Sequence, residues 1–281
     1  MTEWFRDGRA DNTVSTDDRA VQYGDGLFET IAIRDGAPRL WTYHVERLQT
    51  GAARLGLAVP AEDKLLDSLQ AALGQAQADR NRCVAKILFT AGQGPRGYRR
   101  AGGAPTTLLT GIADAQRLPD SCYRDGVDLR LCHTRLAVQP LLAGMKTLNR
   151  LEQVIARNEW NDDSVFEGLT LDTDGRLICG TMSNVFIVTG QALVTPAISR
   201  CGVSGVMRRH VLALSDGAGI ECRVRDVEAE ELWAADAVFI SNSQFGVLPA
   251  RRCGAHTWQP NETFRRIASL LRDSGAVEGP A

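Results

Sequence analysis

The sequence predicts a mixed α/β protein, and three observations carry that reading. Runs with two-residue alternation and β-branched residues, such as Phe28 to Ile33, read as strands. Apolar stripes at helical spacing read as helices packed on one face; Trp41, Val45, Leu48, Ala52 and Leu55 form one. A polar stretch at 114–125, with Pro119 and Asp120, reads as a linker. It separates a small N-terminal α/β domain, 1–113, from a larger C-terminal α/β domain, 126–281.

Residues 1–40 read as short strands, and Gly24-Asp-Gly26 as a tight turn feeding the strand from Phe28. The helix at 41–57 carries His44 and Arg47 off its apolar stripe. Arg47 is either a solvated charge or a planar fork facing a phosphate. A second helix fits 61–78, with Leu65, Leu66, Leu69 and Leu73 inside, and strands follow at 83–91 and 105–113. Between those strands, Gly92, Gly94 and Gly97 spell G-x-G-x-x-G. A dinucleotide site needs a helix to open there, and Pro95, Gly102, Gly103 and Pro105 forbid one. What remains is a loop with Arg96, Tyr98, Arg99 and Arg100, either solvated or holding a carboxylate-bearing ligand.

The C-terminal half opens with a strand at 127–134. A helix follows to about Trp160, with Asn149 as N-cap, Glu152 as its capping-box partner, and Leu148, Leu151, Val154 and Ile155 as its apolar stripe. Strands at 165–171 and 176–179 flank a hairpin at Asp172–Gly175. A polar turn, Cys179 to Asn184, leads into a strand at Val185–Val188. Glycines 202 and 205 then precede a helix containing Val206 and Val211, and exposed amides at a helix start can hold an anion. Strand, short helix and strand fit 220–224, 227–233 and 236–241. Ser241-Asn-Ser-Gln244 is a hydroxyl-rich turn, and a terminal helix fits 262–272.

Composition narrows the function. The 281 residues carry a formal charge of −2, so no bulk basic field argues for nucleic acid or membrane. Seven scattered cysteines without Cys-x-x-Cys point to free thiols in a reducing compartment. Four histidines without His-x-x-x-His give a metal site little support. No 18-residue apolar run occurs, and a cytoplasmic location is expected.

Of three lysines, Lys64, Lys86 and Lys146, only Lys146 sits at a loop-to-helix junction among apolar neighbours. A lysine there is either a surface residue with its stem on apolar side chains or a Schiff-base nucleophile. An Arg on a helix, a Gly-rich helix start and a Ser/Asn turn join it. Those are the parts that bind an aldehyde cofactor carrying a phosphate.

The segments Asp17-Asp-Arg-Ala-Val-Gln-Tyr-Gly-Asp-Gly-Leu-Phe-Glu-Thr30, His44-Val-Glu-Arg-Leu48, Gly94-Pro-Arg-Gly-Tyr98, Lys146-Thr-Leu-Asn-Arg-Leu-Glu-Gln153, Gly180-Thr-Met-Ser-Asn-Val-Phe186 and Gly202-Val-Ser-Gly-Val-Met-Arg208 resemble the fold-type IV pyridoxal-phosphate enzymes nearly end to end. Within that class the Arg-Gly-Tyr loop and Lys-x-Leu-Asn-Arg are most similar to the 4-amino-4-deoxychorismate lyases. The resemblance implies pyridoxal 5′-phosphate as cofactor, aminodeoxychorismate as substrate, 4-aminobenzoate and pyruvate as products, and a homodimer. It implies that Lys146 binds the cofactor aldehyde. Arg47, the amides of Val206 and Met207, and Ser243 with Asn242 beside it fall where the family binds the phosphate. Arg96, Tyr98 and Arg100 are candidates for the substrate carboxylates. The family places a Glu against the pyridine nitrogen; here that position is Cys179, whose neutral thiol supplies no fixed charge. Branched-chain or D-amino-acid transamination on the same fold, or a weakened homologue, are the alternatives.

Overall fold

The computed structural model describes residues 1–277; residues 278–281, the end of the expected C-terminal domain, lie outside the described residues. The chain forms two compact units. One comprises Met1–Gln116 with Met145–Asn149, the other Arg117–Gly144 with Arg150–Ala281.

The first unit contains, in order, β1 (Glu3–Arg6), β2 (Arg9–Ala10), α1 (Arg19–Tyr23), β3 (Gly26–Arg34), β4 (Ala37–Pro38), α2 (Trp41–Arg54), α3 (Glu62–Gln75), β5 (Arg82–Thr90) and β6 (Thr107–Asp114). Its strands form an antiparallel sheet of order β2-β1-β6-β5-β3-β4. Ile31 and Ile33 of β3, Val45 and Leu48 of α2, and Leu65 and Leu69 of α3 share one buried core. The helical stripes read from the sequence are the faces that cover this sheet.

The second unit contains α4 (Asp120–Arg124), β7 (Val127–Leu136), α5 (Leu151–Arg157), β8 (Val165–Asp172), β9 (Leu177–Gly180), β10 (Asn184–Thr189), β11 (Ala192–Pro196), α6 (Val206–Gly217), β12 (Cys222–Arg225), α7 (Ala229–Ala234), β13 (Ala237–Asn242), β14 (Gly246–Cys253), β15 (His256–Thr257) and α8 (Glu262–Asp273). Its sheet runs β12-β11-β10-β13-β14-β7-β8-β9, with β15 on β14. The pairs β11–β12, β14–β7 and β7–β8 are parallel. Residues 184–188 and 237–241 are buried without interruption, as expected of strands covered on both faces. Phe186 and Phe239 stack at 4.8 Å, and Phe264 of α8 packs on Phe239 at 5.4 Å.

Several expectations need correction. Residues 1–40, expected as short strands, also hold a helix just before the Gly24–Gly26 turn: Asp18 caps α1 by accepting from the Ala20 N–H at 2.8 Å, and Gly24 ends it at φ 65°. The expected linker contains α4, and Leu118, Cys122 and Tyr123 pack against the core of the second unit. Residues 145–149, expected in the C-terminal domain, belong to the first unit. The capping box at Asn149 does not form. The N-cap of α5 is Arg150, without a side-chain bond, and Glu152 instead accepts from the Ala137 N–H at 2.8 Å. The apolar stripe of α5 is exposed at Leu151, Val154 and Ile155.

Candidate active site

Lys146 stands on an extended segment joined to the start of β3. The Phe28 N–H donates to the Lys146 carbonyl at 2.9 Å, and the Leu148 N–H donates to the Gly26 carbonyl at 3.0 Å. Gly26 is required there, since a Cβ would meet the Phe89 carbonyl at 2.5 Å and Leu148 at 2.8 Å. Met145 and Thr147 are buried on either side, which sends the half-buried Lys146 to the other face. Its Nζ lies 4.2 Å from the centre of the Phe28 ring.

One residue beyond Phe28, Glu29 is fully buried. Arg47 binds it with Nε, at 2.8 Å, and Nη2, and His44 Nδ1 lies 2.6 Å from it. Burial would raise the Glu29 pKa, but Arg47 and His44 bring it down to about 2. Burial lowers the His44 pKa; Glu29 opposes this, and Arg47 and Lys146 reinforce it. His44 Nε2 is buried without a hydrogen-bond partner among the described residues, which fits a neutral ring protonated on Nδ1. Arg47 is thus oriented by a carboxylate on β3, which the spacing of the α2 stripe does not reveal. Glu29 lay in plain view in the Phe-Glu-Thr segment.

The loop after β5 is pinned by α1. Arg19, 3% exposed, donates to the Gly97 and Tyr98 carbonyls and to Asp25, each at 2.8 Å, and stacks on Tyr23. The Gly97 N–H donates to the Tyr23 hydroxyl, and Tyr98 packs edge-on against Tyr23 at 5.4 Å. Arg96 and Tyr98 are exposed. Arg100 is tied to Asp25 and to the Leu55 carbonyl. It lines a cavity of about 510 Å³ with Asp25, Leu57, Tyr98 and Thr106. Two arginines around one aspartate leave the cluster with excess positive charge. Burial opposes ionisation of Asp25, yet Arg100 and Arg19 hold its pKa below the ordinary value.

In the second unit Cys179 is buried with Leu136, Ile178 and Cys201. Its Sγ lies 3.7 Å from Thr170 Oγ1, and burial pushes its pKa up to about 11, so the thiol is neutral. Asn184, after the polar turn, donates to the Val203 carbonyl at 2.9 Å. A Cβ on Gly205 would meet Asn184 Oδ1 at 2.0 Å, so only glycine allows this approach. Gly205 is the N-cap of α6, with no side-chain cap and no acidic residue in the first turn. Val206 and Met207 are buried there. Arg208, also buried, donates to Thr195 Oγ1 and the Pro196 carbonyl; with no acid pairing it, burial lowers its pKa to about 10. Ser241 Oγ is buried without a hydrogen-bond partner among the described residues. Asn242 Oδ1 accepts from the Gln244 and Phe245 N–H groups, which forms the turn carrying Ser243.

The sequence matches the family described as amino-transferase class IV over residues 26–253. The chain belongs to that family. It is 37% identical to the aminodeoxychorismate lyase of Vibrio harveyi over 234 residues, covering 83% of this chain and 84% of the other. It is 30% identical to a putative branched-chain-amino-acid aminotransferase of Methanocaldococcus jannaschii, covering 85% and 82%. Its structure is similar to that of 4-amino-4-deoxychorismate lyase from Pseudomonas aeruginosa, with a TM-score of 0.90, 42% identity, and 96% and 98% coverage.

The cofactor of this family is pyridoxal 5′-phosphate, and the residues present fit it. Lys146 is an amine on a rigid backbone segment. The uncapped start of α6, its glycine N-cap and the acid-free surroundings of Arg208 suit a phosphate. Among the described residues no cluster able to hold a metal ion occurs.

Proposed function

We propose that this protein is a pyridoxal-phosphate-dependent lyase that converts aminodeoxychorismate to 4-aminobenzoate and pyruvate for folate synthesis. The observation that carries the reading is the near-complete likeness to the Pseudomonas aeruginosa lyase at 42% identity. Lys146 binds the cofactor aldehyde. Arg47, oriented by Glu29, takes the phosphate together with the amides of Val206 and Met207, and with Ser243 and Asn242. Bound, the cofactor ring withdraws electrons from the carbon that carries the substrate amine.

The amine of Lys146 removes the proton from that ring carbon, and the C–O bond to the enolpyruvyl group breaks. A proton returned to the departing methylene carbon gives pyruvate, and the remaining ring becomes aromatic. Arg96 and Tyr98, exposed on the pinned loop, take substrate carboxylates. Arg100 supports them through the excess positive charge of its cluster with Asp25 and Arg19.

Cys179 occupies the position where the family has a Glu, and its neutral thiol would supply no fixed negative charge to a bound cofactor ring. Transamination depends on a stabilised carbanion and suffers more from this than an elimination driven by aromatisation. A transaminase of the same fold is the second reading, supported by the Methanocaldococcus jannaschii relative. Incubation with aminodeoxychorismate separates the two. The lyase releases 4-aminobenzoate and pyruvate in equal amounts without a keto acid, whereas dependence on a keto acid favours the transaminase.

The working form we propose is a homodimer in the cytoplasm. Leu141, Leu151, Val154 and Ile155 are exposed apolar side chains of the second unit, a composition suited to contact with a second copy. Seven free cysteines suit a reducing compartment. No helix among the described residues is long and apolar enough to cross a membrane.

A further inference from the structure

The most heavily bonded carboxylate in the second unit belongs to Glu167, on β8, and the proposed chemistry makes no use of it. Its side chain is completely buried. It accepts from the Thr181 hydroxyl at 2.6 Å, the Ser183 hydroxyl at 2.7 Å, and the N–H groups of Gly168 at 2.9 Å and of Thr181 and Met182 at 3.1 Å. Among the described residues it has no ion-pair partner. A buried charge without a counter-charge is tolerable only if fixed dipoles surround it. Four of the five donors belong to one turn, 181–183, between β9 and β10.

We propose that Glu167 is a positioning residue of the cofactor site: it gathers this turn and so fixes Cys179 before it and Asn184 after it. The inference rests on the reading above that those elements meet pyridoxal phosphate. The turn has little room to settle elsewhere. A Cβ on Gly180 would lie 2.2 Å from Ser183 Oγ and 2.7 Å from Glu167 Oε2. On its far side the Met182 carbonyl accepts from Asn242 Nδ2 at 3.4 Å, which links it to the turn that carries Ser243. Asn184 fills the space left by Gly205 at the start of α6. One carboxylate therefore sets Cys179, the start of α6 and the 241–244 turn in register.

In Glu167→Gln the amide nitrogen must face either the three donors on Oε1 or the two on Oε2. A hydroxyl can rotate to accept, but a backbone N–H cannot. The test is titration of the purified full-length protein with pyridoxal 5′-phosphate and, separately, with inorganic phosphate, alongside the thermal midpoint of the cofactor-free form. Val238→Ala, a core truncation on β13 away from the turn, serves as the destabilised control. The expected result is roughly tenfold weaker binding of both ligands by Glu167→Gln, with Val238→Ala binding like wild type despite its lower midpoint.

If Glu167→Gln binds both ligands like wild type, the proposal is overturned. Should Glu167→Gln fail to fold, Thr181→Val and Ser183→Ala each remove one donor and leave the acid in place. They are expected to weaken binding severalfold, and wild-type affinity in both overturns the proposal equally. Wild-type protein that binds no pyridoxal phosphate at all would instead refute the cofactor reading on which the proposal rests.

Discussion

Glu29 and Glu167 are both buried carboxylates, 1% and 0% exposed, and they are stabilised by opposite means. Glu29 is held by an arginine and a histidine; burial would raise its pKa, but Arg47 and His44 together bring it down to about 2. Glu167 is held by neutral hydroxyl and backbone donors. Burial raises its pKa, although Thr181, Ser183, Met182 and Gly168 oppose the rise. The difference teaches what each carboxylate organises. A counter-charge orients one side chain, here Arg47, which binds Glu29 through Nε and Nη2. A set of dipoles organises backbone, here the turn between β9 and β10.

Removing charge separates the two most strongly. Glu29→Gln removes the buried carboxylate that the half-buried Arg47 binds and should cost about 3–5 kcal/mol of stability. Urea unfolding checks this; a loss below about 1 kcal/mol would show that Arg47 does not need the acid.

Acid should act on Glu29 in a defined window. Its folded pKa lies below the ordinary value of 4.5, so its contribution is fully present above that pH and is lost as pH falls toward about 2. The contribution amounts to about 3 kcal/mol. The stability gap between wild type and Glu29→Gln should therefore close between pH 4.5 and 2, as followed by denaturant midpoints. A gap that persists at pH 2 would contradict the pairing.

Glu167→Gln should cost less stability, about 1–3 kcal/mol, because only one backbone donor is left without an acceptor. A cost as large as that of Glu29→Gln would erase the distinction between the two sites.

Much of this was legible in the sequence, and the misses share a cause. The α2 and α3 stripes face the core as their spacing predicts, because one sheet covers one helix face. Lys146 was findable because it alone among three lysines follows a glycine turn. Glu167 was not findable: Phe166-Glu-Gly-Leu reads as a strand with one solvated charge. Four of its five donors are 14 to 16 residues further on and reach it only through the turn. The stripe of α5 shows the opposite error, since helical spacing marks an apolar face without saying whether this chain covers it. The strand β14 is not legible in the sequence because Pro249 lies inside it, where proline argues against a strand. α1 is too short, at five residues, for any period to show.

Lys146 is the residue on which the proposed chemistry depends most directly. Holoenzyme reduced with sodium borohydride, digested and analysed by peptide mass spectrometry should carry the cofactor on Lys146 and leave Lys64 and Lys86 unmodified. Cofactor found on either of those lysines, or on none of the three, would contradict it.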